Sequence, residues 1–548
     1  MMQNNSTISG AQALAQGAID AGVALVTGYP GAPVTAVVDH ILRLTTPEAV
    51  HVTWNSNEKV AVEMAFGASV GGMRALLCVK SVGLNVALDP LMAFNLSGCN
   101  AGLVILVGDD PGGWGSQNEQ DSRGIAWLAE LPLLEPTTVA EAQTVMREAF
   151  RLSEEHNLPV IVRVTRALTS STVPIPQITP VSSPPPDYQR EFMRWVVLPV
   201  NVVPYHQRLL KKLDVVRGRF EGSTFIAVGG TGPYGVIAAG GIYQKLMETL
   251  DGKIPQELRI LRLATLHPLP EQRIAAFLRS VTMALVLEET APWIEDATRA
   301  IAQQGGIIIA ITGRRTGHVP LAGEVFAPHI AAALNAWLPN LALPSGGETE
   351  RPRPSRETLC ENCPYIPTVE ALIEAMDAHG GRDAFIVTGD PGCMVRAQLP
   401  PYTLLDVKHS LGSSIGLAAG LAVSQQRSGA GKRVIALSGD SGVLHSGLAG
   451  LVDAVHTGAS LTVFILDNGT TALSGGQPHP ASGVDARRAP QRAVDLAALM
   501  RACGVENVRI ADIDRGDDIR AAVEAGIQAD GIAVVIARGK CPRWTHQA

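Results

Sequence analysis

Aromatic residues are scarce in this chain, 4% of 548, and no run of Lys and Arg interleaved with them marks a nucleic-acid face. The formal charge of -7 is spread out, and the Arg-rich stretch Arg351 to Arg356, broken by two prolines, reads as a solvated linker. No apolar run approaches the roughly 18 residues of a membrane span. Met1 to Gly10 has no basic segment ahead of an apolar one, so a cytoplasmic protein is expected, with neither membrane nor nucleic acid as partner. Seven cysteines, at 78, 99, 360, 363, 393, 503 and 541, are few and odd in number, which fits reduced thiols.

What the chain does have is glycine, 55 residues of it, and 46% apolar residues in short runs that end in Gly, Asp or Pro. Buried parallel strands read this way, and the fold class expected is α/β. Strand candidates are Ala24 to Val26, Ala75 to Val79, Leu103 to Val107 and Val160 to Val164, then Phe225 to Val228, Ala284 to Leu287 and Ile307 to Ile311. The last set is Phe385 to Val387, Val434 to Leu437, Leu461 to Leu466 and Ala533 to Ile536. Pro-rich breaks at Thr179 to Asp187 and Pro344 to Ser355 divide the chain into three doubly wound domains with mainly parallel sheets, 1–190, 191–345 and 346–548.

The chemistry concentrates at two strand ends. Gly439-Asp440-Ser441 follows the run Val434 to Leu437, and Asp467-Asn468-Gly469-Thr470 follows Leu461 to Leu466. A helix expected over His445 to Gly458 completes a βαβ unit. Carboxyl ends of neighbouring parallel strands face one crevice, so Asp440 and Asn468 can converge there. Hard oxygen donors suit Mg²⁺, which shares its shell with phosphates. Gly439, Gly442 and Gly447 would let backbone amides approach a diphosphate near a helix start. The alternative is an ordinary βαβ unit with polar strand ends.

Gly-Asp-Ser followed by Asp-Asn-Gly-Thr resembles the thiamine diphosphate motif. A second half lies far upstream, where Asn57-Glu58 is followed by Val60, Ala61, Met64 and Ala65 at helical spacing. This is similar to the cofactor-activating glutamate of thiamine enzymes, whose carboxyl group shares a proton with N1' of the aminopyrimidine. Over nearly the whole length the chain resembles the 2-oxoacid oxidoreductases, most closely the large subunit of indolepyruvate:ferredoxin oxidoreductase. The likeness is carried by Gly28-Tyr29-Pro30-Gly31, Trp54 to Val60, Val82-Gly83-Leu84-Asn85, Gly108-Asp109-Asp110-Pro111-Gly112, Ser116 to Asp121 and Gln477-Pro478-His479-Pro480.

The resemblance implies a pyrimidine-binding domain, a transketolase C-terminal-like middle domain and a diphosphate-binding domain, in that order. It implies thiamine diphosphate and Mg²⁺ as cofactors. Asp440, Asn468 and Thr470 would hold the metal; Gly31, Glu58, Gly439, Asp440, Ser441, Asn468, Thr470 and Thr471 the cofactor; Glu58 would be catalytic, as would His445, shared with the family's His-Ser-Gly, whose alternative is a satisfied helix-start histidine. The implied reaction is oxidative decarboxylation of an aryl 2-oxoacid such as indolepyruvate, with a smaller partner subunit, an external electron carrier and a homodimer core.

The chain also departs from that family. Ala32, Ser81, Ser410, Gly469 and Gly476 stand where the pattern has Thr, His, Cys, Arg and His, a loss of cations that would hold a substrate carboxylate or coenzyme A phosphates. Cys360-Glu361-Asn362-Cys363-Pro364 keeps the family's cysteine pair but continues with Tyr365 and Ile366 in place of His and Arg. The C-terminal ferredoxin-like module is not seen, and with no second pair near Cys360 and Cys363 no iron-sulfur cluster is expected on this chain. Two alternatives therefore stand beside the oxidoreductase: a non-oxidative decarboxylase or carboligase, and a catalytically silent scaffold. Gln117, Asn118 and Asp121 either meet a substrate carboxylate or partner loop, or cap the following helix.

Overall fold

The computed structural model describes residues 7–174, 186–347, 349, 358–429 and 431–545. Most of the Pro-rich break at Thr179 to Asp187, and the linker Arg351 to Arg356, lie outside these residues. The chain forms two compact units, one of Met1–Thr53 with Glu58–Arg353 and one of Trp54–Asn57 with Pro354–Ala548. Among the described residues no helix is long and apolar enough to cross a membrane.

The first unit contains two main sheets. One runs Thr265–His267, Leu133–Leu134, Val160–Thr165, Leu103–Asp109, Ala75–Lys80, Leu25–Gly28, His51–Trp54. Its central pairs are parallel, as near-continuous apolar runs buried on both faces require. The next strand in sequence after Leu25–Gly28 lies to one side of it and Ala75–Lys80 to the other, so the strand order reverses there and opens a crevice beyond the carboxyl ends. The second sheet runs Ala310–Thr312, Met283–Leu287, Tyr234–Ala239, Leu258–Leu263, Ile226–Gly230, parallel except for its last pair.

The first and middle segments are more closely joined than a division at Pro-rich stretches suggests. Thr265–His267, from the middle segment, pairs antiparallel with Leu133–Leu134 of the first sheet. One apolar core includes Leu77, Ile105 and Leu133 together with Ile237, Leu261 and Val286. Buried ion pairs reinforce it: Arg163 donates to Asp109 (2.7 Å) and Glu135 (2.6 Å), and Arg123 to Asp121 and, at 2.8 Å, to Glu288. Glu135 also accepts from the amide of Gly241, in the middle segment, at 3.0 Å.

The second unit is built on one parallel sheet, Val407–Lys408, Phe385–Gly389, Arg433–Gly439, Leu461–Asp467, Ile532–Arg538, Asn507–Asp512. Its order reverses between Phe385–Gly389 and Arg433–Gly439. The three main sheets thus belong to the mainly parallel α/β class expected, beside one antiparallel pair of short strands, Thr7–Ser9 with Thr172–Pro174. The helix expected from His445 begins earlier: Asp440–Gly442 is already helical, Val443–Gly447 forms a single π-helical turn, and Leu448–His456 continues as α-helix. The strand's last apolar residue and the helix start are separated only by Ser438 and Gly439.

Removing Arg163 would strand two buried carboxylates. Arg163→Leu is expected to destabilise the first unit by about 3–5 kcal/mol, measured as a lower denaturation midpoint with Lys211→Leu, exposed on the helix Pro199–Glu221, as the control.

Candidate functional site

In the first unit, Glu58 opens the helix Glu58–Val70 and is 6% exposed. It fits because the neighbouring helix, Ser81–Ser97, presents a glycine to it. A Cβ on Gly83 would lie 2.4 Å from Glu58 Oε1. The carboxyl group therefore sits against bare backbone. Gly31, beyond the end of Leu25–Gly28, gives its amide to Thr35 Oγ1 at 2.7 Å, and a Cβ there would stand 3.1 Å from that of Lys80. Gly31 and Lys80 thus meet where the strand order reverses.

Lys80 is a residue the sequence reading passed over. It ends the strand Ala75–Lys80, and its Nζ donates to the carbonyl of Gly115 at 2.8 Å. Burial pulls its pKa below the ordinary lysine value, and nearby Arg166 pulls it the same way against the opposing pull of Asp110. Asp110 accepts from Gly115 N (2.8 Å) and Ser116 Oγ (2.9 Å), folding the Gly-rich loop back on itself. Asp121 is committed elsewhere: its carboxylate takes Arg123 and the amides of Thr290 (2.9 Å) and Ala291 (2.8 Å). It also accepts from the amide of Arg123, the first residue of the following helix Arg123–Leu128, at 3.0 Å.

In the second unit, Asp440 is 1% exposed at the end of Arg433–Gly439. Oδ1 accepts from Ser441 N (2.8 Å), and Oδ2 from Asn468 N (3.1 Å) and Gly469 N (2.7 Å). His479 Nε2 approaches Oδ2 to 3.0 Å, too obliquely for a proper hydrogen bond. Its Nδ1 accepts from Ala481 N at 3.2 Å, so the ring proton lies on Nε2, facing the carboxylate. Only the motif around His479, not this contact, was legible in the sequence.

The two strand ends do converge. Asn468 and Thr470 are buried, and Thr470 N donates to Asn468 Oδ1 at 3.1 Å. Thr471 N bonds Gln477 O, while its buried hydroxyl has no partner. Burial, and then the Asp440 carboxylate, push the Asp467 pKa up against the pull of Arg538. The Asp467 carboxylate accepts from Arg538 Nε at 3.2 Å. His445 is buried in the π-helical turn; its Nδ1 lies 3.0 Å from Ser446 Oγ, and its carbonyl accepts from Asn57 Nδ2 at 2.8 Å. Asn57 belongs to this unit. Asp390, unremarked in the sequence, lies at the end of the neighbouring strand and accepts from Ser438 Oγ (2.5 Å) and Ser414 N (2.8 Å); burial pushes its pKa up.

The cysteine pair is not alone in the fold. Cys360, Cys363, Cys393 and Cys541 line one cavity, with Arg396 and Asn468 also in its wall. Arg396 Nη1 reaches Cys360 Sγ at 3.5 Å. Burial raises the Cys363 pKa and pushes that of Cys393 up to about 12, with mutual repulsion among the thiolates adding to both. Among the described residues no three His, Cys, Asp or Glu side chains converge on a single-ion position, so the four thiols surround a space without closing on a point.

Comparison with known proteins agrees with this geometry. Residues 16–194 match the family described as pyruvate flavodoxin/ferredoxin oxidoreductase, thiamine diP-bdg, and residues 390–537 the thiamine pyrophosphate enzyme C-terminal TPP binding domain. The chain is 31% identical to indolepyruvate oxidoreductase subunit IorA of Pyrococcus abyssi, over 97% of this chain and 85% of that one. It is 32% identical to the same subunit of Archaeoglobus fulgidus, over 97% and 86%. The chain belongs to the IorA family. It is a thiamine diphosphate-dependent 2-oxoacid oxidoreductase subunit.

More distantly, 2-oxoglutarate synthase subunit KorB of Archaeoglobus fulgidus is 25% identical over 34% of this chain and 70% of that one. A solved 2-oxoglutarate:ferredoxin oxidoreductase from Magnetococcus marinus matches with a TM-score of 0.47 at 18% identity, over 57% of this chain and 62% of that chain.

The glycine slot for Glu58 gives a matched pair of variants. Gly83→Ala drives a methyl group into the carboxyl group and is expected to cost about 1–3 kcal/mol. Gly67→Ala, in the Glu58 helix with nothing within 4 Å of the added Cβ, is expected to be neutral or stabilising by about 0.5–1 kcal/mol. Thermal midpoints of the two variants check both.

Proposed function

We propose that this subunit decarboxylates an aryl 2-oxoacid of the indolepyruvate type and passes the electrons to an external acceptor, with a smaller subunit as partner. The observation that carries the reading is the enclosed Asp440 carboxylate beside Asn468 and Thr470. The residues fit the cofactor: Asp440, Asn468 and Thr470 would hold Mg²⁺, the amides near Ser441 and the unpartnered Thr471 hydroxyl face the same strand ends, and Glu58 stands ready in its glycine slot. Bound thiamine diphosphate supplies a carbanion at C2 and an electron sink for loss of CO₂.

The chain's own part is positioning and proton control. Glu58, enclosed against Gly83, would share a proton with N1' of the aminopyrimidine. Lys80, at the crevice it shares with Gly31, is the cation suited to a substrate carboxylate, in place of the imidazoles and guanidinium that the sequence lacks. In this reading 1–190 is the pyrimidine domain, 191–345 the transketolase C-terminal-like domain and 346–548 the diphosphate domain. The matched spans 16–194 and 390–537 support the outer two.

The cysteine cavity favours oxidative over non-oxidative chemistry. The expectation of no cluster rested on a pair without a second pair nearby in sequence, and the fold gathers Cys393 and Cys541 around the same space. Four thiols spread around a cavity suit an iron-sulfur cluster better than a single ion, and such a centre would relay single electrons. A decarboxylase that releases aldehyde has no use for one.

Anaerobic assay of the chain with its partner, thiamine diphosphate, Mg²⁺ and arylpyruvates is expected to show substrate-dependent viologen reduction. Aldehyde or acyloin formation with no acceptor reduced would establish the non-oxidative alternative. Glu58→Gln is expected to slow turnover by about 10²–10⁴-fold, and Lys80→Met to raise KM for the 2-oxoacid about 10–100-fold with little change in thiamine diphosphate affinity. Anaerobically purified chain should carry iron and acid-labile sulfide that Cys393→Ala removes.

A further inference from the structure

Tyr365 is the residue that departs from the family's histidine after the Cys-x-x-Cys-Pro turn, and the structure gives it a specific task. Its ring is buried in the core of the second unit with Leu359, Val369 and Met394. Its oxygen makes two hydrogen bonds to the far end of the strand Leu461–Asp467. It donates to the carbonyl of Leu466 at 3.1 Å and accepts from Asn468 Nδ2 at 2.8 Å.

A hydroxyl group has one proton to give. With that proton committed to Leu466, only the NH₂ side of the Asn468 amide can face Tyr365. The other end of the amide obeys the same rule, because Oδ1 accepts from Thr470 N at 3.1 Å. Flipping the amide would set NH₂ against the Thr470 N–H and oxygen against a phenol oxygen with no proton left. Two independent contacts therefore fix which end of the Asn468 amide is the oxygen and which the NH₂ group.

We propose that Tyr365 is a positioning residue for a divalent cation, locking the Asn468 amide so that Oδ1, and never the NH₂ group, is offered beside the Asp440 carboxylate. The inference rests on the reading of Asp440 and Asn468 as metal ligands. It also ties the metal position to the thiol cavity, since Tyr365 follows Cys363 by two residues and Asn468 lines that cavity. Partners that orient a ligand in this way usually cost 10–100-fold in metal affinity when removed.

The test is a Mg²⁺ titration of the full chain at saturating thiamine diphosphate, read from the near-ultraviolet circular dichroism of bound cofactor and not from activity. Tyr365→Phe is expected to raise the Mg²⁺ midpoint about 10–100-fold. Tyr365→His, which keeps one donor and one acceptor nitrogen, is expected to recover most of that loss, and serves also if the phenylalanine variant does not fold. In an Asn468→Asp background both side-chain oxygens are acceptors, so orientation carries no information and Tyr365→Phe should shift the midpoint by less than about twofold. Equal midpoints for wild type and Tyr365→Phe overturn the proposal. So does an equal shift in both backgrounds, which would mark a packing effect. A wild-type chain whose cofactor signal ignores Mg²⁺ overturns the metal reading itself, and this inference with it.

Discussion

The second unit is arranged around a single buried charge. Asp440 lies at the end of a strand whose neighbours are apolar, and an ionised carboxylate there costs several kcal/mol unless its lone pairs are satisfied. Satisfying them dictates the local backbone. The Ser441 amide can reach Oδ1 only because the helix begins on Asp440 itself, and the amides of Asn468 and Gly469 reach Oδ2 only because the chain turns sharply after Asp467. That turn puts Gly469 at φ 73°, a region that costs an L-residue about 1–2 kcal/mol. Any L-residue in place of Gly469 would carry that strain.

The candidate residues of each unit were legible in the sequence for the same reason. Strands buried on both faces read as short apolar runs, and the residues that follow them are released into the crevice, so Asp440, Asn468 and the Gly28-to-Gly31 turn announce themselves by position alone. The strands that were missed lack this signature. Asn507–Asp512 is an edge strand with half its residues exposed. Leu258–Leu263 is interrupted by Arg259 and Arg262, and Tyr234–Ala239 is flanked by glycines that read as loop. The early start of the Asp440 helix was hidden because no Ser, Thr or Asp caps it; Gly439 takes that place without a side-chain bond.

What the sequence could not disclose is convergence without pattern. Cys393 and Cys541 are ordinary lone cysteines in their own neighbourhoods and become partners of Cys360 and Cys363 only through the sheet that brings their strand ends together. His479 and Tyr365 are of the same kind: each sits in a recognisable motif, but the atom each addresses belongs to another strand. Lys80 was overlooked for a different reason, since a lysine ending a strand is usually solvated, and only the approach of Gly31 and the Gly115 carbonyl shows it turned inward.

The buried acids of the chain resolve their charge in three ways, and the contrast bears on function. Asp109 and Glu135 are paired with Arg163, a guanidinium as buried as they are, and Glu135 also takes the amide of Gly241 from the middle segment. Asp390 has hydroxyl and amide donors and, among the described residues, no cation in hydrogen-bonding reach, and burial pushes its pKa up toward the neutral form. Asp440 has neither solution: its partners are amides and an imidazole held off the hydrogen-bonding line, with a second carboxylate, Asp467, close enough to feel it. Amides orient a carboxylate without cancelling its charge. A carboxylate that is held still but not neutralised, next to an amide oxygen whose direction is fixed from behind, is suited to a divalent cation in a way that the guanidinium-paired acids are not.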